Sequence, residues 1–254
     1  MYQEPAQGFK NGFYCYGMNI PGKILIVILQ FVLFPSVIQI RQPDYREVFG
    51  DNWSRAEEFI AGNEQWMIPL CEKYDIDFRE AKAVVFPELV RYSALRDRME
   101  ITLLKALYIN MGDEYADFSV GRFQMKPSFA EQIRDFILTP EGKRYRNLLG
   151  NNTPKKGSRE YRASIISDME DIRRQFGYLV IFIKACEKTH KQLPSEGAGR
   201  VSFIASAYNT GFRKSAEEID LMTEKKFFTT HLSGPPYYSY SDISLFWYRK
   251  SEKK

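Results

Sequence analysis

The sequence predicts an all-α domain whose β structure is limited to one small hairpin. Three observations predict it. Leu95, Met99, Thr102, Leu103, Ala106 and Tyr108 recur at spacings of three and four, which builds one apolar helix side. The stretch 178–186, YLVIFIKAC, is apolar almost all round, as in a helix at the centre of a helical domain. No stretch alternates convincingly between apolar and polar residues, apart from a candidate hairpin near residues 115–125.

In chain order, residues 1–22 are polar, aromatic and Gly-rich, and Lys23 precedes an apolar run over 24–40, ILIVILQFVLFPSVIQI. A basic residue ahead of such a run is the layout of a secretory signal. The run is 17 residues long and broken by Gln30 and Pro35, short for a spanning helix. Met18 offers an alternative start, and no small-residue cleavage site follows. Residues 1–40 are therefore expected to be a signal peptide or an uncleaved anchor in contact with the membrane, with a buried core helix as the third reading. Residues 41–254 are expected to form the folded domain.

Ser54 and Glu57 make a capping box, so a helix is expected from residue 55, broken at Gly62. A second helix carries Trp66, Ile68, Leu70 and Cys71, and a turn over 74–77 leads into an apolar helix over 78–93. Ser93 is expected to cap the next helix, 94–110, which Gly112 ends. The loop that follows holds Asp113, Glu114 and Asp117. Pro127 and Ser128 open a helix over 129–138, and the turn formers of 149–159 make an exposed loop. Residues 160–189 are helical with a break at Gly177; a loop over 193–200 leads to a helix over 201–208. The tail from 225 to 248 is aromatic, with Phe227, Phe228, Tyr237, Tyr238, Tyr240, Phe246, Trp247 and Tyr248. It either packs across the domain or walls a binding groove.

Composition narrows the class. Hydrophobic residues are 44% and charged residues 27%, the balance of a folded globular chain. A net charge of +4 suits an anionic polymer, but no Lys/Arg run marks a nucleic-acid binder. Cys15, Cys71, Cys186, His190 and His231 show no metal-ligand spacing, so no metal or cofactor is expected. Cys71 and Cys186 are expected to be buried thiols; a disulfide between them would need a Cα separation under about 7 Å.

One residue stands out chemically. Glu88 lies among Ala83, Val84, Val85, Phe86, Leu89 and Val90, where a lone carboxylate is costly unless it is paired or protonated. Pro87 removes a backbone donor and crowds the carbonyl of Ala83, so the helix is expected to kink or end nearby. The negative end of the helix dipole would then add to burial and raise the Glu88 pKa. That is the profile of a general acid. The competing reading is a structural Glu bonded to Arg91, Arg96 or Arg122.

Two later stretches bear on the choice: VGRFQMKPS, with Gly121, Gln124 and Pro127, and ASAYNTGF, with Ala207, Tyr208, Asn209 and Gly211. Together with Glu88 they resemble the lytic transglycosylases of the lysozyme superfamily over roughly residues 54–212. That family carries a catalytic Glu at a helix end, then Gly-x-x-Gln-x-x-Pro, then Ala-Tyr-Asn-x-Gly. The resemblance implies a lysozyme-like helical domain with a substrate groove, and Glu88 as catalytic acid and base. It implies Gly121, Phe123, Gln124, Tyr208 and Asn209 as substrate-binding residues. It further implies cleavage of peptidoglycan glycan strands with ring closure to 1,6-anhydromuramic acid, in the periplasm or cell envelope of a bacterium. One departure is Leu89, where the family has Ser. A hydrolysing muramidase, kept open by the carboxylates of 113–117, and a non-catalytic wall-binding or envelope-assembly protein are the alternatives.

Overall fold

Gly50, with φ +49°, turns the chain out of a first short helix, α1 (Tyr45–Phe49), and directly into α2 (Asp51–Ala61). The computed structural model describes residues 42–95, 101–116, 118–150, 154–231 and 235–251, and the expectations for residues 1–40, Cys15 and Met18 included, lie outside them. Because α2 starts at this glycine, Ser54 is an interior helix residue and not a cap; its N–H bonds the Gly50 carbonyl at 3.2 Å. Trp53, Ala56 and Ile60 form the buried face, and Gly62 ends the helix as expected.

After α3 (Glu64–Lys73) and the turn at 74–77 comes α4 (Phe78–Leu95). This helix continues through Pro87, and Ser93 lies within it. The physical reason is packing: Ala83, Val84, Val85, Phe86, Leu89 and Val90 are all buried, so apolar contact on every side outweighs one missing backbone donor. Helix α5 (Ile101–Met111) ends at Gly112, whose φ of +103° makes a left-handed exit. A short 3-10 turn at Asp113–Tyr115 follows.

The expected hairpin near 115–125 reduces to a single antiparallel bridge between Val120 and Met125. Gly121 (φ +74°) and Gln124 (φ +47°) close a turn too tight to extend as strands. Next are α6 (Pro127–Phe136), with proline in its first turn, and a 3-10 turn at Lys143–Leu148. Ser158 caps α7 (Arg159–Glu170). The break before α8 (Ile172–Thr189) falls at Asp171 and not at Gly177. Asp171 accepts from the N–H groups of Arg173 and Arg174 and so starts a new helix. Gly177 stays helical, and the carbonyl of Leu148 occupies the space beside it.

Helix α9 (Gly197–Thr210) begins earlier than expected, and a capping box of Ser215 and Glu218 opens α10 (Ala216–Thr223). The tail then forms an antiparallel two-stranded ribbon, β1 (Lys226–Phe228) with β2 (Tyr238–Ser239), and a last helix, α11 (Tyr240–Ser251). The architecture is all-α with one small hairpin, placed in the tail. Most of the aromatic tail packs across the domain. The ring of Phe86 lies 4.5 Å from Trp53 and 5.0 Å from Trp247, centroid to centroid. Helix α4 thus runs between α2, α9 and α11 at the centre of the core.

Cys71 and Cys186 are free and buried, and burial pushes the Cys71 thiol up to about 12. Among the described residues no helix is long and apolar enough to cross a membrane, and no group of His, Cys, Asp and Glu could hold a metal ion.

Candidate active site

Helix α4 delivers one polar side chain from its apolar centre to a cleft of about 220 Å³, and that side chain is Glu88. Arg91, Gln124, Lys126, Tyr208 and Asn209 line the same cleft. Glu88 is only 4% exposed. Arg91, one turn on, directs a single nitrogen, Nη1, at both carboxylate oxygens, 2.9 Å from Oε1 and 3.0 Å from Oε2. Burial raises the Glu88 pKa above the usual carboxylate value; the charges of Arg91 and Lys126 act the other way and only partly offset it. Because α4 runs on to Leu95, Glu88 lies well before the last turn. The expected dipole contribution is therefore absent, since that effect is confined to the terminal turn. The raised pKa comes from desolvation.

Of the three arginines expected as structural partners, Arg91 makes the contact. Arg122 instead lies over the rings of Phe59 and Tyr92, at 5.1 and 4.7 Å. Arg96 lies outside the described residues.

Gln124 sits in the tight turn with its side-chain Nε2 donating to the Gly121 carbonyl at 2.8 Å. Its positive φ and that bond aim the residue at the cleft. Gly121 and Phe123 are placed differently from the expectation, because neither lines the cleft. A Cβ at Gly121 would lie 2.1 Å from Nε2 of Gln175 and 2.4 Å from the Met169 carbonyl oxygen. The close approach that demands glycine is therefore made by the α7–α8 junction and not by a ligand. Phe123 is fully buried, with its ring near Phe59 and Phe176. Its backbone does the work: the N–H donates to Oε1 of Gln175 at 2.9 Å, and the carbonyl accepts from Tyr208. Gly121 and Phe123 support the turn from beneath.

Tyr208 projects from the last turns of α9 between the rings of Phe129 and Phe182, each centroid 5.3 Å away. Its hydroxyl donates to the Phe123 carbonyl at 2.7 Å. Burial and the nearby Glu88 charge hold the phenol well above its ordinary pKa. Asn209 follows at the cleft wall, and it is Gly211, φ +108°, that ends the helix. The three motifs thus converge: Glu88, Gln124, Tyr208 and Asn209 meet at one cleft.

Leu89, where the resembled family has Ser, is 2% exposed and belongs to the core. The group that holds Glu88 here is Arg91. Asp113 and Glu114 are exposed and away from the cleft, and Asp117 lies outside the described residues. Among the described residues that line the cleft, Glu88 is the sole carboxylate. Sequence reasoning missed Lys126, Ser128 and Gln132 as lining residues, and Gln175 as the support of the turn. Gln175 carried one weak signal, a polar residue just ahead of an apolar run.

A buried, protonatable carboxyl in a cleft that polar amides also line can donate a proton to a bound oxygen and take one back. Comparison of the chain with protein-family models, curated proteins and solved structures returned no match.

Proposed function

We propose that this protein is a peptidoglycan lytic transglycosylase, exported to act on the glycan strands of a bacterial envelope. One observation carries the reading: a carboxyl whose pKa burial raises, Glu88, opens onto a cleft walled by Gln124, Tyr208 and Asn209. In the first step Glu88 gives its proton to the glycosidic oxygen as the bond from that oxygen to the muramic acid C1 breaks. In the second step the C6 hydroxyl oxygen bonds to C1 and its proton passes to the Glu88 carboxylate. Acid and carboxylate are restored in turn, no water enters, and no second carboxylate is needed. A hydrolysing glycosidase uses a second one. The lack of another carboxylate among the described cleft residues supports the single-Glu route over muramidase chemistry.

The Glu88–Arg91 pairing favours a second reading, a non-catalytic wall-binding or assembly protein in which the pair is structural. The deciding experiment is digestion of purified peptidoglycan by the protein and by Glu88→Gln, with mass spectrometry of released muropeptides. The expected result is 1,6-anhydro products from the wild type and none from Glu88→Gln. Reducing-end products, heavier by one water, would replace the reading with muramidase. No product from a folded wild type would leave the non-catalytic reading.

A further inference from the structure

We infer that Arg91, clamped by the C-terminal ribbon, is a positioning residue that sets how tightly Glu88 holds its proton. The inference rests on the proposed role of Glu88 as acid and base, but its main test needs no substrate.

The geometry carries it. The Arg91 guanidinium faces three ways. Nη1 meets both oxygens of Glu88; Nε faces the Thr229 carbonyl at 3.4 Å; and the guanidinium carbon lies 4.3 Å from the centre of the Phe228 ring. Phe228 is fully buried at the end of β1 and lies edge-on to Tyr240, centroid to centroid 5.9 Å. Tyr240 in turn donates its hydroxyl to the Val84 carbonyl of α4 at 2.9 Å. An arginine side chain in solution samples many rotamers; here a ring on one side and a carbonyl at Nε fix it. The ribbon therefore fixes where the positive charge stands relative to the carboxyl.

A single Glu that must give a proton and then take one needs an intermediate proton affinity. The groups facing Glu88 divide accordingly. Arg91 from its own helix and Lys126 from the turn before α6 favour the carboxylate. The phenols of Tyr208 on α9 and Tyr240 on α11 carry no charge at neutral pH, being held protonated by burial. Desolvation by these and the apolar residues of α4 favours the acid. Arg91 is the cation in direct contact, so its placement decides the balance.

The test follows the Glu88 carboxyl by ¹³C NMR across pH in the full chain, the signal being identified by its loss in Glu88→Gln. Removing Arg91 removes the partner of the carboxylate, so Arg91→Met should move the titration midpoint up by on the order of one pH unit or more. Phe228→Leu, which loosens the clamp but keeps the arginine, should move it in the same direction by less. Arg91→Lys, which retains the charge, should stay nearest the wild type. If Arg91→Met does not fold, the Phe228→Leu titration decides alone. In wall digestion the alkaline limb of the pH–rate profile, where the acid form is lost, should rise in parallel. An unmoved midpoint in Arg91→Met, or in Phe228→Leu where that variant decides, overturns the inference. A moved midpoint in a protein that releases no anhydro product would instead leave the Arg91 inference standing and remove the proposed activity.

Discussion

The hydroxyl of Tyr208 and the carbonyl of Phe123 are 2.7 Å apart, and this bond ties the end of α9 to the turn that carries Gln124. Both groups are buried, so Tyr208→Phe strands the carbonyl without opening a cavity. Leaving one buried acceptor unsatisfied costs about 1–3 kcal/mol. The expected outcome is a lowered melting temperature in thermal unfolding. Turnover on peptidoglycan should fall more than the folded fraction does, because Gln124 loses its fixed position. Unchanged turnover per folded molecule would make the hydroxyl a stabilising group only.

Glu88→Gln carries a second signature, in stability. The Glu88 pKa is raised in the folded state, so the folded protein binds its proton more tightly than the unfolded chain does. Its contribution is therefore fully present below the ordinary carboxylate pKa and is lost as pH rises through the raised value. Glutamine mimics the protonated form at every pH. The melting temperature of Glu88→Gln minus that of the wild type should increase from about pH 4 to pH 8, rising from the ordinary carboxylate range upward. Wall digestion by the same variant should fall by at least about 100-fold, the lower end for general acid catalysis. A difference in melting temperature that is flat with pH would sink the claim that burial makes ionisation of Glu88 costly.

Gly121→Ala tests the floor of the cleft. The new methyl would overlap Gln175 and the Met169 carbonyl, at a residue whose φ is +74°. Left-handed backbone costs an L-residue roughly 1–2 kcal/mol, and overpacking adds about 1–3 kcal/mol. Denaturant unfolding should show a loss of about 2–5 kcal/mol, the sum of these terms. A variant as stable as the wild type would mean that the α7–α8 junction yields easily.

Changing Asp113 and Glu114 together to Asn and Gln separates the two enzyme chemistries. Both side chains are exposed and outside the cleft. The double variant, and the triple one with Asp117→Asn, should keep most of the turnover. Loss of a second catalytic carboxylate would cost several factors of ten, each worth about 1.4 kcal/mol.

Much of the fold could be read from the residues, and the misses share one cause. The apolar run at 178–186 gave a helix because burial is continuous along it. On the apolar side expected for 94–110, by contrast, Tyr108 is buried but Thr102, Leu103 and Ala106 are exposed, and residues 96–100 lie outside the described ones. Pro87 and Ser93 misled because local propensity marks them as stop and start signals, while α4 is held by neighbours distant in sequence. The hairpin went to the wrong place because the Val120–Met125 bridge and the tail ribbon are both too short to leave an alternating pattern. At the site, Glu88 was conspicuous because a carboxylate among apolar residues is improbable. The roles of Gly121 and Phe123 were not legible, since the atoms they meet come from Met169, Gln175 and Tyr208.

The turn at 121–124 is held by Gln175, 52 residues beyond Phe123, and by Tyr208, 85 residues beyond it. The Val120–Met125 bridge and the Gln124–Gly121 bond close the turn locally, but the groups that seat it against the rest of the cleft lie far along the chain. Loop closure over such lengths is entropically costly and is recovered only once the surrounding helices have docked. The cleft therefore forms as those helices dock and is lost as they separate, in the same cooperative event. Enzyme activity and helical circular dichroism should then disappear together along a denaturant titration, with no helical but inactive species between them.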